Sequence, residues 1–198
     1  MLTLFLTFDR APARLPAFDD ALLYTPDRAS DPFLDDGAPP PMVVQAYFAS
    51  LSRLNSFTAK YVDLKCAAEA MSVRKFEVPE PALKSQGYCT YLVAYEGPAE
   101  DEAAWHAHYL AHHPLLMARL PGIRALEVYL PLEWACPAPW RRVRSLQRNK
   151  VAFDSAEALT AALNSPVRKE MRADFKAFPA YTGKITHYPM ATQVLRTC

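Results

Sequence analysis

Glycine is scarce in this chain, with 5 among 198 residues. That excludes the Gly-rich phosphate cradles and dinucleotide fingerprints, which need several glycines at fixed spacing. No Ser-based nucleophile elbow is present either. Cysteine is sparse too. Cys66, Cys89, Cys136 and Cys198 are scattered without a C-x-x-C pair, which predicts free thiols in a reducing compartment. An excess of one charge is also lacking: 22 basic and 21 acidic residues leave a net charge of +1. Such a balance gives no field to attract nucleic acid. The basic run Trp140-Arg141-Arg142-Val143-Arg144 is local and reads as a solvated loop. Long apolar runs are missing as well. The opening "MLTLFLTFDR" is too short to span a membrane and has no basic n-region. It reads as a strand. A cytoplasmic protein without nucleic-acid or membrane partners is therefore expected.

What the chain does have is hydrophobic content, 51%, enough for one sizeable core or two small ones. It also has 18 prolines. They cluster in "TPDRASDPFLDDGAPPPM" (25–42) and "YLPLEWACPAPW" (129–140). Phe33, Trp134 and Trp140 inside these stretches predict long ordered loops rather than disorder.

The two loops occupy equivalent places in an internal repeat. "ARLPAFDDALLYTP" (13–26) lines up with "ARLPGIRALEVYLP" (118–131), each an extended apolar run ending in Tyr-x-Pro. "LTLFLTFDR" (2–10) matches "TYLVAYEGP" (90–98), and "MVVQAYFASLSRLNSFTA" (42–59) matches "RNKVAFDSAEALTAALNS" (148–165). "SVRKFEVP" (72–79) matches "GKITHYPM" (183–190). Four matches in one order indicate a duplication, with halves at 1–82 and 83–198 that together form one barrel.

In the second copy the pattern predicts strands over about 88–96, 123–130, 147–153 and 184–189. Helices are predicted over about 100–119 and 155–164, the latter capped by Asp154 with Glu157 in capping-box style, and Ser165-Pro166 starts another. The order βαββαβ is the ferredoxin-like motif. The first copy has no room for its first helix. The expected fold is therefore α+β: two ferredoxin-like repeats in one chain, the first lacking its first helix. Their bare sheet faces pack together as in a dimeric α+β barrel. Pairing of chains into a homodimer through sheet edges stays open.

The helix present only in the second copy holds "WHAHYLAHHPLLM" (105–117). Its four histidines, His106, His108, His112 and His113, leave only His187 elsewhere. Trp105, Tyr109 and His113 follow at four-residue spacing and share one helix face. An imidazole beside an apolar cavity is suited to move protons at neutral pH. His113 is therefore the first candidate for a general acid or base. His112 and His187 are the reserves, the latter sharing a strand face with Ile185. Against that stands a capping role for His113 at the helix C-terminus, which Pro114 would end or kink. His108 and His112 have the i, i+4 spacing of metal-binding helices, but two ligands do not make a site, and no metal or other cofactor is expected. His106 and His108 otherwise read as a solvated face. Trp105, Tyr109 and Tyr91 are candidates to shape a pocket for a flat ligand, with Trp134 in a lid loop.

"HYLAHHPLLMARLPGIR" and "FDSAEALTAALNSPVRKEMRADFKAFPAYTG" resemble the EthD family of the dimeric α+β barrel superfamily. The shared features are an aromatic first helix ending near His-x-Pro-Leu, Leu120-Pro121-Gly122, Phe153-Asp154-Ser155 and the turn Phe178-Pro179-Ala180-Tyr181-Thr182-Gly183. The resemblance covers about residues 88–190. The family histidine lies four after the helix tyrosine and two before the proline. Here His113 meets the first condition and His112 the second. The superfamily includes polyketide cyclases, muconolactone-type isomerases, cofactor-free monooxygenases and haem-degrading relatives. The resemblance thus implies a barrel that binds or transforms a small hydrophobic or aromatic metabolite, by His-based isomerisation or cyclisation. The alternatives are a non-catalytic ligand-binding or stress-response barrel and a cofactor-independent monooxygenase. Whether the chain is an enzyme stays open at this point.

Overall fold

The computed structural model describes residues 1–83 and 87–195; Cys198 lies outside them. Nine strands and four helices follow in the order β1 (Leu2–Phe8), β2 (Ala21–Pro26), β3 (Met42–Phe48), α1 (Leu51–Lys60), β4 (Ala67–Phe76), β5 (Tyr88–Tyr95), α2 (Glu102–Met117), β6 (Ile123–Pro131), β7 (Arg141–Arg142), β8 (Gln147–Phe153), α3 (Ala156–Leu163), α4 (Pro166–Phe175) and β9 (Ile185–Leu195). The first half is a sheet in the order β4-β1-β3-β2, and the second repeats it as β9-β5-β8-β6. Antiparallel pairs β2–β9 and β4–β6 join the halves and close an eight-stranded barrel. The duplication and the absent helix after β1 are both present. Among the described residues no helix is long and apolar enough to cross a membrane. Among the described residues every barrel strand has a strand neighbour on both sides over at least part of its length.

Three local expectations are corrected. The fourth repeat match is out of register, because β4 starts at Ala67 and β9 runs on to Leu195. The cap of α3 is Ser155, whose side chain accepts from the Ala158 amide; Asp154 instead pairs with Arg124. Helix α2 does not end at Pro114 but continues to Met117. His113 therefore sits inside the helix and caps nothing.

Strand alternation sorts side chains between the barrel lumen and its outer face. Outward-facing Leu4, Leu6, Phe8, Val44, Ala46, Ala68 and Ala70 form one core with Leu54 of α1. Outward-facing Cys89, Tyr91, Val93 and Tyr95 form another with Trp105, Tyr109, Leu159 and Met171 of the helices. The lumen is filled by Phe5, Leu22, Tyr24, Val43, Met71, Leu92, Tyr129 and Met190. The turn 178–183 packs tightly on the loop after β5: a Cβ at Gly183 would collide with the Gly97 carbonyl.

A buried polar network links the halves through the lumen. Lys150 Nζ lies 3.1 Å from Glu127 Oε1 and donates to the Tyr47 hydroxyl at 2.9 Å. Tyr47 and Tyr129 both donate to Glu127 Oε2, at 2.9 and 2.7 Å. Burial alone would raise the Glu127 carboxyl, but Lys150 and the two hydroxyls outweigh it and hold it below its ordinary value. A buried ion pair adds little over an apolar replacement, but removing one partner strands a charge. Lys150→Met is therefore expected to lower stability by about 3–5 kcal/mol. Urea unfolding of that variant and of Lys150→Met with Glu127→Gln checks this: the double variant should recover much of the loss.

Candidate active site

The site forms on the outer face of the second half, between the sheet and its helices. Along α4, Arg168, Met171, Arg172 and Phe175 follow the i, i+3, i+4, i+7 pattern of a single helix face. They face Tyr95, Ile185 and His187 of the sheet and His113 of α2 around a cavity of about 250 Å³. Beneath it a chamber of about 30 Å³ reaches inward between Tyr91, Val93, Asn149 and Leu159. Tyr95, His113, Arg168, Met171 and His187 line both.

Two imidazoles face this space, and each is held by a carboxylate on the same ring nitrogen. His113 Nδ1 is 2.8 Å from Asp174 Oδ2. His187 Nδ1 is 2.8 Å from Asp36 Oδ2, which also accepts the His187 amide at 2.7 Å. A carboxylate only accepts, so Nδ1 carries the proton and Nε2 keeps its lone pair. No described residue bonds either Nε2. Burial lowers the pKa of both histidines below the ordinary 6.5, while their carboxylates pull the other way. Both are therefore neutral at neutral pH, the form a general base requires.

The wall is supported from behind. Tyr109 packs on the His113 ring at 5.0 Å and accepts from Asn149 at 2.5 Å. Trp105 stacks on Tyr109 and meets Tyr95 edge-on. Phe178 packs edge-on against His108, Tyr109 and His113. Tyr91 stacks on His187 at 5.7 Å and donates to Asp31 Oδ2 at 2.5 Å; Arg168 Nη2 donates to the same oxygen at 2.9 Å.

The structure thus gathers His113, His187 and Tyr91 at one cavity. Three other candidates lie elsewhere. His112 is exposed, because the 100° step per residue turns it away when His113 faces in; its ring meets that of His108 at 4.6 Å. Trp105 and Tyr109 are fully buried core behind Tyr95 and His113 and do not line the cavity. Trp134 is in the other half altogether. It packs with Ala138 and Trp140 into the core under α1, where Trp140 Nε1 donates to the Tyr61 carbonyl at 3.1 Å. His108 bonds the second oxygen of Asp174 at 3.3 Å, and His106 lies 3.0 Å from the Leu146 carbonyl, so neither is merely a solvated side chain. Among the described residues no group of three or more His, Cys, Asp or Glu is placed to hold a metal.

Four polar residues of the site were not read from the sequence: Asp31, Asp36, Arg168 and Asp174. The helical spacing of Arg168-x-x-Met171-Arg172-x-x-Phe175 was a usable signal for α4. Asp31 and Asp36 carry no periodic signal, because they reach the site on the Pro-rich loop 27–41 of the first half. That loop, not the one holding Trp134, covers the cavity: Phe33 and Leu34 line it, and Phe33 lies under the Arg172 guanidinium at 4.4 Å.

No family model matches the chain, and no curated protein matches it. Solved structures do. An anthrone oxidase-like protein superposes over 100% of this chain and 95% of its own, with TM-score 0.60 and 13% identity. A candidate monooxygenase of Fusobacterium nucleatum covers 98% of this chain and 92% of its own, with TM-score 0.57 and 8% identity. An ethyl tert-butyl ether degradation (EthD) family protein of Bacillus halodurans covers 50% of this chain and 96% of its own, with TM-score 0.40 and 23% identity. The full-length likenesses show the fold alone: a closed α+β barrel with both halves in one polypeptide.

Two outcomes follow. Because the folded-state pKa of His113 and His187 is lowered, protonation favours the unfolded chain. Their contribution to stability is complete above 6.5 and is lost as pH falls through 6.5 toward the folded values. The Tm should therefore fall between about pH 7.5 and 5.5, and the slope should flatten in the His113→Gln, His187→Gln double variant; an unchanged slope contradicts this. Trp134→Ala should cost about 3–5 kcal/mol of stability, as a buried Trp truncation does, while leaving ligand binding at the cavity intact. Calorimetric melting and a ligand titration together check it.

Proposed function

We propose that this barrel binds and transforms a small hydrophobic or aromatic metabolite in the cavity between α2, α4 and the β5–β9 sheet face. His113 serves as the general base or acid and His187 as the second proton-transfer group. The observation that supports this reading is the pair of Asp-oriented imidazoles, His113 buried and His187 half-buried, that line one mostly apolar cavity with no described residue bonded to either Nε2. Asp174 fixes the tautomer of His113, burial keeps it neutral, and Tyr109 and Phe178 hold the ring. A substrate proton on carbon or oxygen taken at the neutral Nε2 of His113, and returned from the imidazolium so formed to a different substrate atom, directly or after passing to the neutral Nε2 of His187, would give isomerisation, cyclisation or dehydration.

The test is proton exchange. An acidic aromatic ketone such as 2-tetralone, in deuterated buffer, should lose its α-protons faster with the protein than without. His113→Gln should slow that exchange by about 10²–10⁴-fold while the Tm shifts little. If the ketone perturbs the imidazole NMR signals but exchanges no faster than in buffer, the chain is a non-catalytic binding barrel. If it neither binds nor exchanges, the cavity assignment is wrong.

A second reading, a cofactor-independent monooxygenase, is favoured by the descriptions of the full-length structural neighbours as oxidase-like or monooxygenase proteins. It keeps the same base and adds dioxygen as co-substrate. Oxygen uptake in the presence of an anthrone separates it from the first.

A further inference from the structure

We infer that the ligand of this cavity carries an anionic oxygen, a carboxylate or the oxygen of a phenolate or enolate, and that Arg168 holds it. The inference rests on the cavity proposed above and adds the chemical class of its occupant.

Arg168 lies on α4 with only 9% of its side chain exposed, and it lines both the cavity and the chamber beneath. A guanidinium has five N–H donors in a rigid plane and no acceptor. One of them, on Nη2, is used by Asp31 Oδ2. The Nε donor is buried and has no acceptor among the described residues. A buried donor without a partner is uncommon in a folded protein and calls for an explanation. The Nη groups have a different setting: the side chain lines both the cavity and the chamber, so an acceptor placed in that space can meet the Nη donors that no described residue other than Asp31 engages.

The wall of that space points the same way. Its charged members are Arg168, Arg172 and Lys176, and no carboxylate lines it. The three nearby carboxylates stand behind the lining and are occupied. Asp31 holds Arg168, Tyr91 and the Phe33 amide. Asp36 holds His187, and Asp174 holds His108 and His113. The remaining lining is apolar or aromatic: Phe33, Leu34, Tyr95, Met171, Phe175 and Ile185. An incoming molecule therefore meets a flat apolar surface, one dry guanidinium and two rim cations. That set suits an aromatic or unsaturated body with one negative oxygen. If the oxygen is part of an enol system, Arg168 also stabilises the charge that proton removal by His113 would create.

The test uses a matched pair of probes, 2-naphthoate and its neutral amide, 2-naphthamide, titrated calorimetrically into the full chain at low and high salt. Wild type should bind the acid at least tenfold more tightly than the amide. Arg168→Met should weaken the acid tenfold or more and leave the amide within twofold. Arg172→Gln should weaken the acid by a smaller factor, and only at low salt. Removing Arg168 also strands Asp31, so the Asp31→Asn, Arg168→Met double variant, with its melting curve, separates lost binding from lost folding. Equal affinity for acid and amide in wild type, or a preference for the acid that survives both Arg168 variants, overturns the inference while leaving the cavity reading intact. If neither probe binds wild type, the cavity reading fails and this inference with it.

Discussion

A ferredoxin-like sheet covered by helices on one face has a second face that water must not reach, and this constraint shapes the molecule. Two such sheets satisfy it by closing on each other, and here a single chain supplies both. The closure is not purely apolar. Lys150 and Glu127 from the second half meet Tyr47 from the first, and Glu69 of β4 accepts Arg148 of β8 at 2.6 Å. These contacts have strict directional needs, unlike the Phe5, Tyr24 and Met71 that fill the space around them. They fix how one sheet registers on the other, since a shifted pairing would strand buried charge.

The missing helix of the first half creates a second problem of the same kind. Without it, the outer faces of β1, β3 and β4 carry Leu4, Leu6, Phe8 and Ala70 with only α1 to cover them. The Pro-rich loop 132–140 crosses over from the second half and supplies the remainder with Trp134, Ala138 and Trp140. Proline suits this work, because it shortens the ensemble of a loop that has no helix ladder to hold it. The equivalent loop, 27–41, crosses the other way and lies over the second half. The exchange is thus reciprocal, but its two consequences differ. One loop completes a core. The other meets a half that already has its helix, so it covers a cavity and brings Asp31 and Asp36 to it.

That asymmetry explains what could be read from the amino-acid order and what could not. The repeat, the absent helix, the strand positions and the inward turn of Trp105, Tyr109 and His113 all follow from local periodicity, and the structure has them. Which of His112 and His113 turns inward also follows from it, since the two point about 100° apart on a helix. Periodicity does not tell which side of a closed sheet holds a cavity. Ile185 and His187 do share a face, but it is the outer, helix-covered one. Nor does it tell which loop covers which half. The long Pro-rich loop that holds Trp134 reads as a lid, yet the barrel's closure carries Trp134 to the opposite half. Asp36 is distant in sequence from His187 and adjacent to it in space for the same reason.

The carboxylates complete the argument about the histidines. A carboxylate on Nδ1 alone would raise the basicity of an imidazole and favour its charged form. At His113 two circumstances oppose that. Asp174 divides its two oxygens between His108 and His113, and Arg168 adds a positive charge close by. Burial then dominates, and the ring stays neutral while its orientation is preserved. His187 reaches the same state under Asp36, with Arg168 again among the opposing charges. One guanidinium therefore acts on both rings. It restrains their protonation while the cavity is empty, and an anion bound to it would relieve that restraint on each.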